Sequence, residues 1–210
     1  MQHHDSSSLP SGWRPALWLA LLMAASVAFT LGLACAMPFA AIGAAAAMTL
    51  NRRDALILTA AAWLANQIVG FAFLSYPMTA DTITWGIVLG IVAVLTTLAA
   101  IELTRRVARQ GIVITALISF AGAFVVYEGS LFLVSATWLG GTEDFAPAIV
   151  AYILAINVGA FLGLMVLHRV GAAIGFASKL PLGQLAGARH PISKAGSPLP
   201  GFGHRRKAMP

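Results

Sequence analysis

Glu128 lies inside an uninterrupted apolar run, SFAGAFVVYEGSLFLVSA at residues 119–136. An ionised side chain at the centre of a membrane helix costs roughly 2.5–3.5 kcal/mol on insertion scales. A chain keeps such a group where it faces a protein interior, a partner helix or a solute. There it can accept a hydrogen bond, balance a positive charge or carry a proton. Two amides stand at a similar depth in other apolar stretches. At the rise of an α-helix, Asn66 is about 14 Å from Ser75, Glu128 about 16 Å from Leu139, and Asn157 about 15 Å from Pro147. In a hydrocarbon core about 30 Å thick, all three fall near the midplane. Gln67 and Tyr127 adjoin two of them in sequence.

Helical spacing allows these groups to converge. Thr59, Trp63, Asn66, Gly70 and Phe73 share one face of a helix, and Phe124, Glu128, Phe132 and Ser135 share one face of another. An aromatic-lined niche with a few polar groups is the usual form of a small-molecule site. Asparagines in membrane helices also join helices by hydrogen bonds averaging about 0.6 kcal/mol, with no ligand involved. A protonated Glu128 bonded to Asn66 or Asn157 would be glue of that kind. The higher price of a carboxylate favours a solute or ion site.

The elements that must position these residues follow from composition. The chain has 210 residues, 59% hydrophobic and 10% charged. Soluble domains carry about 25% charged residues, so the expected class is an all-α integral membrane bundle. Residues 1–14 read as a disordered polar tail, with His3 and His4 as solvated terminal residues. Residues 15–50 contain no charge. Gly32 and Pro38 divide them into two short spans, 15–32 and 37–50. The alternative of a cleaved signal peptide ending near Ala34-Cys35-Ala36 is disfavoured, because another membrane segment follows. Four further spans are expected at Ala55–Leu74, Ile83–Leu103, Val113–Trp138 and Pro147–Leu167. The membrane domain is thus 15–168, with six helices, and 169–210 is a basic disordered tail.

Links alternate in charge. Arg52-Arg53 and Arg105, Arg106 and Arg109 lie on one side, and Asp81, Glu143 and Asp144 on the other. The positive-inside rule with six spans places both termini in the cytoplasm, in a plasma (inner) membrane. The basic residues therefore report orientation, not nucleic-acid binding. Glu102 is expected to pair with Arg105 or Arg106. The single Cys35 excludes an intrachain disulfide, and with Met37 it offers too few ligands for a metal site. No HExxH, GxSxG or phosphate-binding loop is present, so neither an enzyme nor a cofactor is expected.

Tyr76, Asp81, Thr82, Thr84 and Trp85 cluster where the fourth span begins. Tyr and Trp at that height are commonly interfacial belt residues, and here they could also form the rim of an outward-opening pocket. Ala16, Ala20, Ala24 and Ala28 make a small-residue stripe along the first span. Gly86/Gly90 and Gly159/Gly163 are spaced likewise and are expected to pack helices within the bundle.

Six short spans, both termini inside and the alanine stripe together resemble the substrate-binding S components of energy-coupling-factor vitamin transporters. The resemblance implies that Ala16, Ala20, Ala24 and Ala28 dock on a transmembrane coupling subunit that works with ATPases. It also implies that a vitamin-like solute binds from the outer side near Tyr76, Asp81, Trp85, Glu128 and Asn157. With Asn66, Gln67 and Tyr127 from the midplane layer, these are the candidate binding residues. The expected function is nutrient uptake energised by partners. The rivals are a non-transporting subunit that assembles a larger membrane complex and a stand-alone proton-coupled permease.

Overall fold

The computed structural model describes residues 37–173, together with Ala20, Leu21 and Ala24. Ala20 and Ala24 of the alanine stripe are helical and exposed. Ala16, Ala28, Cys35, the tail at 1–14 and residues 174–210 lie outside the described residues.

Five helices carry the described chain: α1 (Phe39–Thr49), α2 (Arg52–Ala72), α3 (Ala80–Val107), α4 (Ile112–Val134) and α5 (Pro147–Ala173). A π-helical turn, Ser135–Leu139, extends α4. There is no strand among the described residues. Four helical stretches are long and apolar enough to cross a membrane: Arg52–Ala72, Ala80–Gln110, Ile112–Leu139 and Pro147–Ala173. They match the last four expected spans and alternate in direction. The last runs on through Arg169, past the expected boundary at residue 168.

The second expected span, 37–50, turns out differently. Helix α1 has 11 residues and rises only about 16 Å, roughly half of a hydrocarbon core. It is too short to cross, so the six-span count is not reproduced. Every one of its residues is buried, and it touches all four other helices. Hydropathy measures how apolar a segment is; it does not tell whether lipid or protein surrounds it. The composition FAAIGAAAAMT suits a protein-surrounded helix, because small side chains let neighbours come close. At Gly43 the approach is closest: a Cβ there would lie 2.9 Å from Thr97 Oγ1 and 3.3 Å from Thr97 Cα.

Local chemistry sets the turns. Asn51 caps α2, its Oδ1 accepting the Asp54 N–H at 3.0 Å while its Nδ2 donates to Asp54 Oδ2 at 2.7 Å. Gly111 joins α3 to α4 at φ 93°, a left-handed conformation that favours glycine. Hydroxyl pairs link helices where no water would reach them. Thr59 and Thr97 meet at 2.8 Å between α2 and α3, and Thr104 and Ser119 at 2.8 Å between α3 and α4.

The six described arginines (52, 53, 105, 106, 109 and 169) all sit at one end of the bundle, and there is no described lysine. Arg106 Nε pairs with Glu102 Oε1 at 2.8 Å. Asp81, Glu143 and Asp144 lie at the opposite, acidic end. Large apolar side chains such as Ile87, Ile91, Leu162 and Val166 are exposed on the outside, as lipid-facing residues would be.

Glycine pairs behave in two ways. Gln67 sits over Gly86 and the Trp63 indole over Gly90, with Trp63 Nε1 donating to the Gly86 carbonyl at 2.8 Å. That is the expected packing role. Gly159 and Gly163 instead have nothing within 4 Å of where a Cβ would stand. They lie on the exposed face of α5, so these two do not pack within the described bundle.

Candidate functional site at the buried end of a short helix

Helix α1 runs towards the arginine end, and its N-terminus opens in the middle of the bundle. The first N–H groups of a helix have no acceptor within it. Pro38, at the cap position, offers no side-chain acceptor. The acceptor comes from α5: the Ala41 N–H donates to Asn157 Oδ1 at 3.1 Å. Asn157 is itself held by donating from Nδ2 to the Ile153 carbonyl at 3.0 Å, and it is only 1% exposed. An asparagine therefore caps α1 from another helix.

Tyr127 belongs to the same layer. Its ring lies 6.2 Å from that of Phe39, the first residue of α1. Because α1 and α4 are antiparallel, the next residue, Glu128, stands at or just beyond the level where α1 begins. The rings of Phe120 and Phe161 are 5.0 Å apart and set the register of α4 against α5. Counting four residues from each along the antiparallel pair brings Asn157 level with Phe124. Glu128 is one turn farther, about 6 Å. Glu128 is 9% exposed, and its buried Oε1 has no hydrogen-bond partner among the described residues.

The structure thus brings Tyr127 and Asn157, from two helices, against the N-terminus of a third, with Glu128 near the same level. A helix N-terminus carries the equivalent of roughly half a positive charge. Here it opens towards the level of an unpartnered carboxyl group. Phe124 lies one turn from Glu128 on α4, and Phe120 and Phe161 belong to the hydrophobic core a turn farther on. Chemically the niche can accept hydrogen bonds through Glu128 and offer a positive backbone end.

The other candidate residues stand elsewhere. Asn66 and Gln67 are half-buried on α2, Gln67 against Gly86 of α3. No hydrogen bond joins Asn66 to Glu128 among those the structure displays. Tyr76 folds back over Gly70 and meets Phe71 edge-on at 6.2 Å between centroids. Asp81 is exposed near the acidic end, and Trp85 packs half-buried against the core. An apolar groove of about 400 Å³, lined by Ala60, Trp63, Ile87, Gly90, Ile91, Val94 and Leu95, opens between α2 and α3. None of the midplane polar groups lines it.

Sequence reading assigned no role to His168, which is 1% exposed on α5 beside Arg169. Its position near the basic tail disguised it, although its spacing from Phe161 and Leu164 puts it on the buried face. Thr96 is also fully buried, and its residue type alone carries no signal of a site.

Comparison with protein-family models, with curated proteins and with solved structures gives no match. The functional reading therefore rests on the geometry of this layer.

Proposed function

We propose that this chain is a membrane transport protein that binds a small organic solute at the layer formed by Tyr127, Glu128, Asn157 and the N-terminus of α1. The observation that carries the reading is the short buried helix whose N-terminal end lies near the level of a buried carboxyl group that has no partner among the described residues. Many transporters build their sites in this way, from discontinuous helices whose ends face the solute at mid-depth. Glu128 would accept a hydrogen bond from the solute or balance its positive group. The Phe39–Tyr127 ring pair would wall the site, and Asn157 would fix the helix end. In the finer version suggested by the S-component resemblance, the solute is vitamin-like and partner subunits supply the energy, with Tyr76, Asp81 and Trp85 forming the outer rim.

The second reading, a subunit that assembles a larger complex, is favoured by one observation. Ala151, Ala155, Gly159 and Gly163 form a small-residue stripe on α5 that is exposed along its whole length. Such stripes admit close helix partners.

The two readings separate in cells that depend on the protein. Under the first, Glu128→Gln abolishes uptake of the solute while the protein still inserts and Gly159→Leu retains uptake. Under the second, Gly159→Leu disrupts co-purification of a partner and Glu128→Gln changes little.

A further inference from the structure

We infer that Glu128, in the protein without solute, is a proton-binding site in the membrane interior. The inference deepens the transport reading, on whose midplane placement of Glu128 it rests. The carboxyl group is buried and its Oε1 has no partner among the described residues. A bare carboxylate in such surroundings is heavily penalised, so something must neutralise it.

Among the described residues, no protein group does. On its own helix, Tyr127 is the neighbouring ionisable side chain, and it bears no positive charge. Helix α1 contains no ionisable residue, and the sequence from 15 to 38 that precedes it contains only the Cys35 thiol, which cannot carry a positive charge. On α5, His168 and Arg169 lie about 15 residues from Ile153, which is level with Glu128, or some 22 Å away. Tyr152 on that helix is exposed and offers no positive charge. On α3, Asp81 and the Glu102, Arg105 and Arg106 group stand at opposite ends. The α1 N-terminus contributes only about half a positive charge.

A metal cation is a poor substitute. Hard cations take about six or more oxygen ligands, yet no group of three or more His, Cys, Asp or Glu converges among the described residues. The Asn157 carbonyl oxygen is already engaged by Ala41. A proton needs one oxygen and leaves a neutral carboxyl group that can donate as well as accept. When a solute with a positive group or strong donor enters, Glu128 can pass that proton to water that enters with the solute and remain as the solute's counter-charge. The site is thereby suited to exchange a proton for a cationic or hydrogen-bond-donating solute.

The test is covalent labelling of the full chain in lipid vesicles by dicyclohexylcarbodiimide, which partitions into membranes and adds to protonated carboxyl groups. Peptide mass spectrometry locates the adduct. The expected result is an adduct on Glu128, absent from Glu128→Gln, whose yield falls about tenfold per pH unit on the alkaline side of its midpoint. A water-soluble carbodiimide should leave Glu128 unmodified. Absence of the adduct, or its loss when sodium or potassium chloride replaces choline chloride at fixed pH, would overturn the proposal. Labelling of Glu128 in a protein whose solute binding survives Glu128→Gln would keep the proton site and remove the transport reading. Loss of uptake in Glu128→Gln without labelling would do the reverse.

Discussion

Ala41 and Asn157 are 116 residues apart in sequence, yet the backbone N–H of the first donates to the side-chain oxygen of the second at 3.1 Å. This bond fixes where α1 begins. It ties the half-length helix to α5 and so sets the depth of the opening beside Glu128. Losing a helix cap typically costs about 0.5–2 kcal/mol, and a buried N–H left without an acceptor costs about 1–3 kcal/mol. Asn157→Leu is therefore expected to destabilise the folded protein by about 2 kcal/mol, read by denaturant unfolding in detergent. Asn157→Asp keeps the acceptor oxygen and should retain the tie to Ala41. Equal stability of Asn157→Leu and wild type would show that α1 is held by other contacts.

Gly43 is where α1 and α3 approach most closely. Gly43→Ala would place its Cβ 3.3 Å from the Thr97 backbone, which cannot yield as a flexible side chain can. Overpacking of this kind costs about 1–3 kcal/mol, and the Thr59–Thr97 bond should loosen with it. A double-mutant cycle of Thr59→Val and Thr97→Val measures that bond directly. A coupling of about 0.6 kcal/mol is expected, the average for hydroxyl and amide bonds between membrane helices.

Gly90 and Gly159 form a matched contrast. Alanine at position 90 would bring its Cβ to 2.7 Å from Trp63 Cε2 and 2.8 Å from Nε1. The indole must then move and give up its bond to the Gly86 carbonyl. Reduced stability and a shifted Trp63 emission are expected, the latter measured with the other tryptophans replaced by phenylalanine. Alanine at position 159 meets nothing within 4 Å. There the higher helix propensity of alanine, up to about 1 kcal/mol over glycine, should leave the protein as stable as wild type or more so.

The Glu102–Arg106 pair is a check on scale. Its side chains are 46% and 65% exposed, and surface ion pairs contribute about 0–1 kcal/mol. Arg106→Gln is expected to shift unfolding by less than about 0.5 kcal/mol, with orientation in the membrane unchanged because other arginines share that end. Unfolding that shifted as far as in Asn157→Leu would give this pair a weight its exposure does not explain.

Much of the fold is legible from residue order because lipid-facing helices need long apolar runs. The four long helices begin and end within a few residues of where charges, Pro147 and Gly111 punctuate the sequence. Helix α1 is the exception. Its apolar window reads as another span, and only its length and its richness in alanine betray a helix enclosed by protein. In the candidate site, Glu128 and Asn157 stand out because polar groups in apolar runs are expensive. Their relation to α1 could not be read, since it depends on a backbone N–H that has no signature in residue type. Gln67 looked like a member of that layer from its depth alone. Its direction, towards Gly86, is set by the way α2 packs on α3. His168 went unnoticed for the opposite reason, because it sits where the apolar pattern gives way to the basic tail.

The most direct measurement is native mass spectrometry of the full chain released gently from its own membrane, comparing wild type with Glu128→Gln. Wild type is expected to carry a bound small organic molecule that the variant, equally well folded and inserted, has lost. The same bound molecule at the same occupancy on both proteins would contradict a solute site at Glu128.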